Sequence, residues 1–139
     1  MKKLLLIFVA LIGMIGATSC NESKSVLLET VIEEVSEECP FEVELGMVCY
    51  GISDDGYNLV YHIDVDEDIH DDVSYMSFSI AEKEALIEEM AEDEEMLMLL
   101  DILESLDKGL VYELKGDITG NVNRLEISAS IIRNVLNSI

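Results

Sequence analysis

Positive charge is scarce in this chain. Of 139 residues only eight are Lys or Arg, against thirty Asp or Glu, for a net charge of −22. Nucleic acid and anionic lipid surfaces are gripped through clustered positive charge, so neither suits the folded part as a partner. Glutamine is absent, proline occurs once, and there are two histidines and three cysteines. The common catalytic signatures are missing too. There is no His-Glu-x-x-His, no Gly-x-Ser-x-Gly, no phosphate-cradling glycine loop and no Cys-x-x-Cys. The expectation is a protein that is not an enzyme. No internal repeat or linker divides the chain. Half of its residues are hydrophobic, which gives it the material for a core and separates it from acidic disordered tails.

The amino end has three parts. Met1, Lys2 and Lys3 form a basic head, Leu4 to Ile15 is an uncharged apolar run, and Gly16 to Ser19 are small. That is the layout of a secretory signal peptide over residues 1–19. Twelve apolar residues in a helix reach about 18 Å, well short of a hydrocarbon core of about 30 Å, so the run does not span a membrane. Removing residues 1–19 leaves six basic residues against thirty acidic ones, a net charge of −24. Such a surface favours solubility and basic partners.

Ala17-Thr18-Ser19-Cys20 resembles the lipobox of bacterial lipoproteins. The resemblance covers residues 1–20 and implies cleavage before Cys20, acylation of its sulfur with palmitate-like chains, and anchoring in the cell envelope. Leu is frequent three residues before the cysteine in that family; Ala17 stands there here. Each buried methylene contributes about 0.8 kcal/mol, so two or three chains hold firmly where one does not. Residues 20–25 would then be the lipidated cysteine and its tether. Asn21 after the cysteine, in place of Asp, implies delivery to the outer membrane. Plain secretion remains the alternative, because Ala17-x-Ser19 also suits ordinary signal cleavage.

From residue 26 to 139 the pattern describes one α+β domain. Leu27, Leu28, Val31, Ile32 and Val35 make a helical stripe, and Ser23 or Ser25 can cap its start. Phe41 to Tyr50 and Tyr57 to Val65 alternate as strands of a hairpin. Matching parity asks for a three-residue loop, Asp54-Asp55-Gly56, with Cys49 opposite Tyr61. Val73 to Phe78 reads as a short strand. Ser79 and Glu82 form a capping box ahead of a helix over 80–91. The apolar face then jumps by half a turn, which predicts a second helix over 94–107. A further hairpin pairs Leu110, Tyr112 and Leu114 with Ile127, Leu125 and Asn123 around a loop at 117–120. Ser128 or Ser130 can cap a last helix to about Ser138. The expected fold is an antiparallel sheet of two hairpins, 41–65 and 110–128, with helices packed on one face. It is similar, at the level of fold, to cystatin-like and NTF2-like exported modules. The Gln-x-Val-x-Gly loop of cystatin inhibitors has no counterpart in a chain without glutamine, so that activity is not implied.

Four groups of residues merit a functional test. Asp64, Asp66 and Asp68 match the first ligands of a calcium loop, but the sixth place holds Ile69 in place of Gly and the twelfth Tyr75 in place of Glu. A looser calcium or magnesium site over 64–72 in a soluble secreted domain is the runner-up to a lipoprotein, with a solvated acidic loop the simpler reading. His62 and Asp64 share a strand face, a geometry that can orient an imidazole, yet no nucleophile is identifiable beside them. Cys39 and Cys49 would lie about 33 Å apart on one straight strand, far beyond the 7 Å reach of a disulfide unless Gly46 folds the segment back. Buried free thiols are the preferred reading. Met90, Met96 and Met98 read as core filling rather than a binding surface. Membrane attachment through lipid is the partner reading; a protein or ligand partner is left unidentified.

Overall fold

The computed structural model describes residues 23–71 and 77–139. The fold is α+β. Helix α1 (Lys24–Glu38) leads into strands β1 (Phe41–Glu44), β2 (Met47–Asp54) and β3 (Asn58–Val65). Helices α2 (Ile80–Met90) and α3 (Glu94–Ser105) follow, then β4 (Gly109–Gly116), β5 (Val122–Ile127) and α4 (Ala129–Ser138). The strands form one sheet in the order β1-β2-β3-β4-β5.

Local side-chain chemistry starts each helix. Ser23 Oγ accepts from Val26 N–H, and Ser128 Oγ accepts from Ile131 N–H. The Ser79 capping box is complete: Ser79 Oγ accepts from Glu82 N–H while Glu82 Oε1 accepts from Ser79 N–H. The half-turn jump of the apolar face falls at residues 91–93. There α2 ends and Asp93 restarts the chain as α3, its Oδ1 accepting from the N–H groups of Glu95 and Met96.

The sheet differs from two antiparallel hairpins in three ways. First, Gly46, at φ +85°, turns the expected strand 41–50 back on itself, so that β1 pairs with β2 and Phe41 faces Cys49. Glycine enters this left-handed region without the Cβ clash that other residues meet. Second, the β2–β3 register is Cys49↔Ile63, not Cys49↔Tyr61. A bulge between Cys49 and Gly51 flips the parity of β2, so Met47, Cys49 and Ile52 all face the core. The chain between paired Asp54 and Leu59 is correspondingly longer than three residues. Third, β3 and β4 pair in parallel, from Asn58↔Gly109 to Val65↔Gly116. The two helices between them carry the chain back to the end where β3 began, as parallel neighbours require. The second hairpin keeps its expected register, with Leu110↔Ile127, Tyr112↔Leu125 and Leu114↔Asn123. Of the expected strand at 73–78, residues 73–76 lie outside those described, and Ser77 and Phe78 are not in a strand.

One core joins the layers. Leu28, Val31 and Val35 of α1, Leu86, Ile87 and Met90 of α2, and Leu99, Leu100 and Leu103 of α3 are buried over Tyr61, Ile63, Tyr112 and Leu114 of the sheet. Tyr61 and Tyr112, neighbours across the parallel pair, stack with ring centroids 5.3 Å apart. Each such buried aliphatic side chain contributes about 1.5–3 kcal/mol.

Candidate functional site

Helix α3 carries more apolar residues than one buried face can take. Met96, Leu97, Met98, Leu99 and Leu100 are consecutive, and at 100° per residue five positions circle the whole helix. Met96, Leu99 and Leu100 are buried; Leu97 and Met98 face outward, 36% and 42% exposed. With Glu94 and Asp101 they form an i, i+3, i+4, i+7 stripe, acidic at both ends and apolar between. Leu136 and Ile139, at the end of the chain beyond β5, complete an open hollow of about 690 Å³ against that stripe. Lys24 reaches Asp101 at one edge, Nζ to Oδ2 2.7 Å. Core filling thus describes Met90 and Met96 but not Met98. The signal for this groove is the five-residue apolar run itself, longer than a helix packed on one side can bury.

A polar row crosses the opposite side of the sheet. His62 Nδ1–H donates to Glu113 Oε1 at 3.0 Å, its Nε2 shares a hydrogen bond of 2.9 Å with Ser53 Oγ, and Arg124 donates to Glu113 Oε2 at 2.8 Å. His62 therefore takes Ser53 and Glu113 as partners, where the sequence suggests Asp64. The serine, imidazole and carboxylate stand in charge-relay order, but Glu113 is shared with the Arg124 guanidinium and Ser53 lies within a strand, not on a sharp turn. Neither the apolar groove nor a smaller polar hollow beside Arg124 is lined by Ser53 or His62. The row bonds four adjacent strands together, the usual work of cross-strand pairs.

The acidic segment after β3 is tied to backbone. Asp66 N–H donates to Gly46 O, and Asp66 Oδ1 accepts from Asp68 N–H. Glu67 Oε1 accepts from the N–H groups of Thr119 (2.7 Å) and Ile118 (2.9 Å), and its carboxylate also accepts from Thr119 Oγ1. His70 Nε2–H donates to Leu45 O. Asp64 is exposed on β3, and Asp72 lies outside the described residues. Among the described residues no group of three or more His, Cys, Asp or Glu is placed to hold a metal ion.

The Thr119 N–H, helped by the Thr119 hydroxyl and Ile118 N–H, holds the Glu67 carboxyl below its ordinary value of 4.5. A lowered carboxyl binds its proton less readily folded than unfolded. Its stabilisation is therefore complete above pH 4.5 and is lost as pH falls through the lowered value. Glu67→Gln should melt below the parent at neutral pH, and the gap should close as pH falls from 4.5 through the lowered value. Melting curves that stay equally separated down to pH 3 would contradict this role.

Cys20 lies outside the described residues. Cys39 and Cys49 are both free thiols, Cys49 fully buried and Cys39 at the end of α1. No helix among the described residues is long and apolar enough to cross a membrane.

No protein-family model matches the chain, and no curated protein matches it in sequence. Three solved structures share its fold. A Pseudomonas aeruginosa protein described as secreted superposes with a TM-score of 0.57 at 19% identity, over 85% of this chain and all of its own. The pilotin EpsS of the Vibrio vulnificus type II secretion system gives 0.53 at 11% identity. The type II secretion pilotin AspS of Vibrio cholerae gives 0.51 at 9%. Both pilotin matches cover 78% of this chain and 91% of theirs. At these identities the likeness is one of fold.

Proposed function

We propose that this chain is a lipid-anchored accessory module of the bacterial cell envelope, one that holds another protein and transforms no substrate. The observation that carries this reading is the groove of Leu97, Met98, Leu136 and Ile139 with Glu94 and Asp101 at its edge. An apolar groove with an acidic rim, on a domain of net charge −24 after residue 19, fits one occupant best. That occupant is an amphipathic helix with an apolar stripe and flanking Lys or Arg. The pilotin-like fold adds support, since pilotins serve secretion assemblies. Cys20 would supply the anchor, residues 21–25 the tether, and Asn21 the routing to the outer membrane.

Two measurements test the reading. Cys20→Ser in the producing cell should move the protein from the membrane fraction to the soluble one; unchanged membrane association would end the anchor. A labelled Leu/Lys amphipathic peptide of fifteen residues should bind the Cys20→Ser protein saturably, at one per chain. The double variant Leu97→Asp, Met98→Asp should lose that binding at least tenfold. Two added carboxylates would strengthen attraction of charge alone, so tighter binding by the double variant would overturn the groove as the docking site.

A further inference from the structure

We propose that Cys39 and Cys49 are the two halves of a disulfide site, closed by exchange with a disulfide-donating partner after export. Export provides the oxidising setting; the chemistry depends only on the fold.

The objection from distance disappears in the folded chain. Gly46 reverses the segment, so Phe41 faces Cys49 across β1 and β2, and Cys39, two residues before Phe41 at the end of α1, is brought back toward Cys49. Cys49 is fully buried in the core and Cys39 packs against that core. Each thiol donates to a carbonyl, Cys39 Sγ to Val35 O at 3.3 Å and Cys49 Sγ to Gly51 O at 3.5 Å, and the two sulfurs lie close enough to influence one another's ionisation. Two thiols on segments that adjoin where a helix end meets a strand pair need little backbone movement to join.

The surroundings assign the order of events. Burial raises both thiols, and the Cys49 thiol, deeper in the core, is pushed up to about 12. Cys39 is also the more exposed of the two. Cys39 thus releases its proton to solvent and attacks one sulfur of the donor disulfide, expelling the other donor sulfur as a thiolate. That thiolate takes up the Cys49 proton. The Cys49 sulfur then attacks the Cys39 sulfur of the mixed disulfide, breaks its bond to the donor and expels the second donor thiolate. The protein loses two electrons and two protons, and the donor leaves as its dithiol or as two thiols.

The test uses the full chain carrying Cys20→Ser, so that only these two cysteines remain. Native protein is equilibrated with excess oxidised glutathione, then denatured, alkylated and weighed. The expected product is two mass units lighter than the reduced chain, takes up no alkyl group, and melts about 5–10 °C higher until reduced. Adding Cys49→Ala should trap a stable glutathione adduct on Cys39, whereas adding Cys39→Ser should leave Cys49 largely unmodified. Two thiols still alkylatable, a persistent glutathione adduct on the two-cysteine chain, or a bridge that brings no rise in melting temperature would each overturn the assignment.

Discussion

Gly109→Ala is expected to lower stability by about 3 kcal/mol, at the upper end of the cost of overpacking. Gly109 opens β4 where three strands converge. Its N–H donates to Tyr57 O, it pairs with Asn58 of β3, and it lies beside the end of β5. A Cβ there would stand 2.7 Å from the Ile127 carbonyl oxygen and 2.5 Å from Asn58 Oδ1. The asparagine side chain can swing away. The Ile127 carbonyl cannot, because it sits between the β4–β5 ladder and the capped start of α4. Against a typical domain stability of about 5–15 kcal/mol the loss is severe, worth a fall in Tm of about 10 °C. Gly116→Ala is the instructive comparison: its Cβ would run into the Glu67 carboxylate, a side chain that can rotate off at the cost of its hydrogen bonds. Urea titrations that place Gly109→Ala within about 0.5 kcal/mol of the parent would refute the close approach.

The second large effect separates the two faces of α3. Leu99→Ala should cost about 3 kcal/mol, since Leu99 is fully buried and its removal leaves a cavity among helices that cannot close over it. Leu97→Ala, two residues away, should change stability by no more than about 0.5 kcal/mol. Leu97 is an exposed groove residue, and deleting it opens no interior space. A loss of 2 kcal/mol at Leu97 would mean that this side chain supports the fold, and the groove would no longer be a free surface. The comparison thus measures how far the outward stripe of α3 is spared from folding.

Some of this architecture was readable from residue order and some was not. The Ser79–Glu82 capping box, the break before Asp93 and the register of the second hairpin depend on side chains within a few residues of one another. The Gly46 reversal is only the alternative to a straight strand in the sequence, because an unbroken odd–even alternation runs through it, and the bulge between Cys49 and Gly51 leaves no mark in that alternation. The groove was not legible as one: Met98 reads as core filling with Met90 and Met96, and only the packing of α3 shows that Leu97 and Met98 are left outside.

Local order in this chain settles where helices begin and stop, which residues are apolar on each turn, and the charge that any partner must meet. Those features follow from hydrogen bonds and periodicities that act over one or two turns of chain. Tertiary packing alone decided that β3 and β4 lie side by side, which brings His62 to Glu113 although 51 residues separate them. It also decided that the Gly46 reversal returns Cys39 toward Cys49, and that Leu97 and Met98 face Leu136 and Ile139. Contacts between distant segments depend on how helices and sheet bury their apolar faces together, and no short window of sequence contains both sides of that choice.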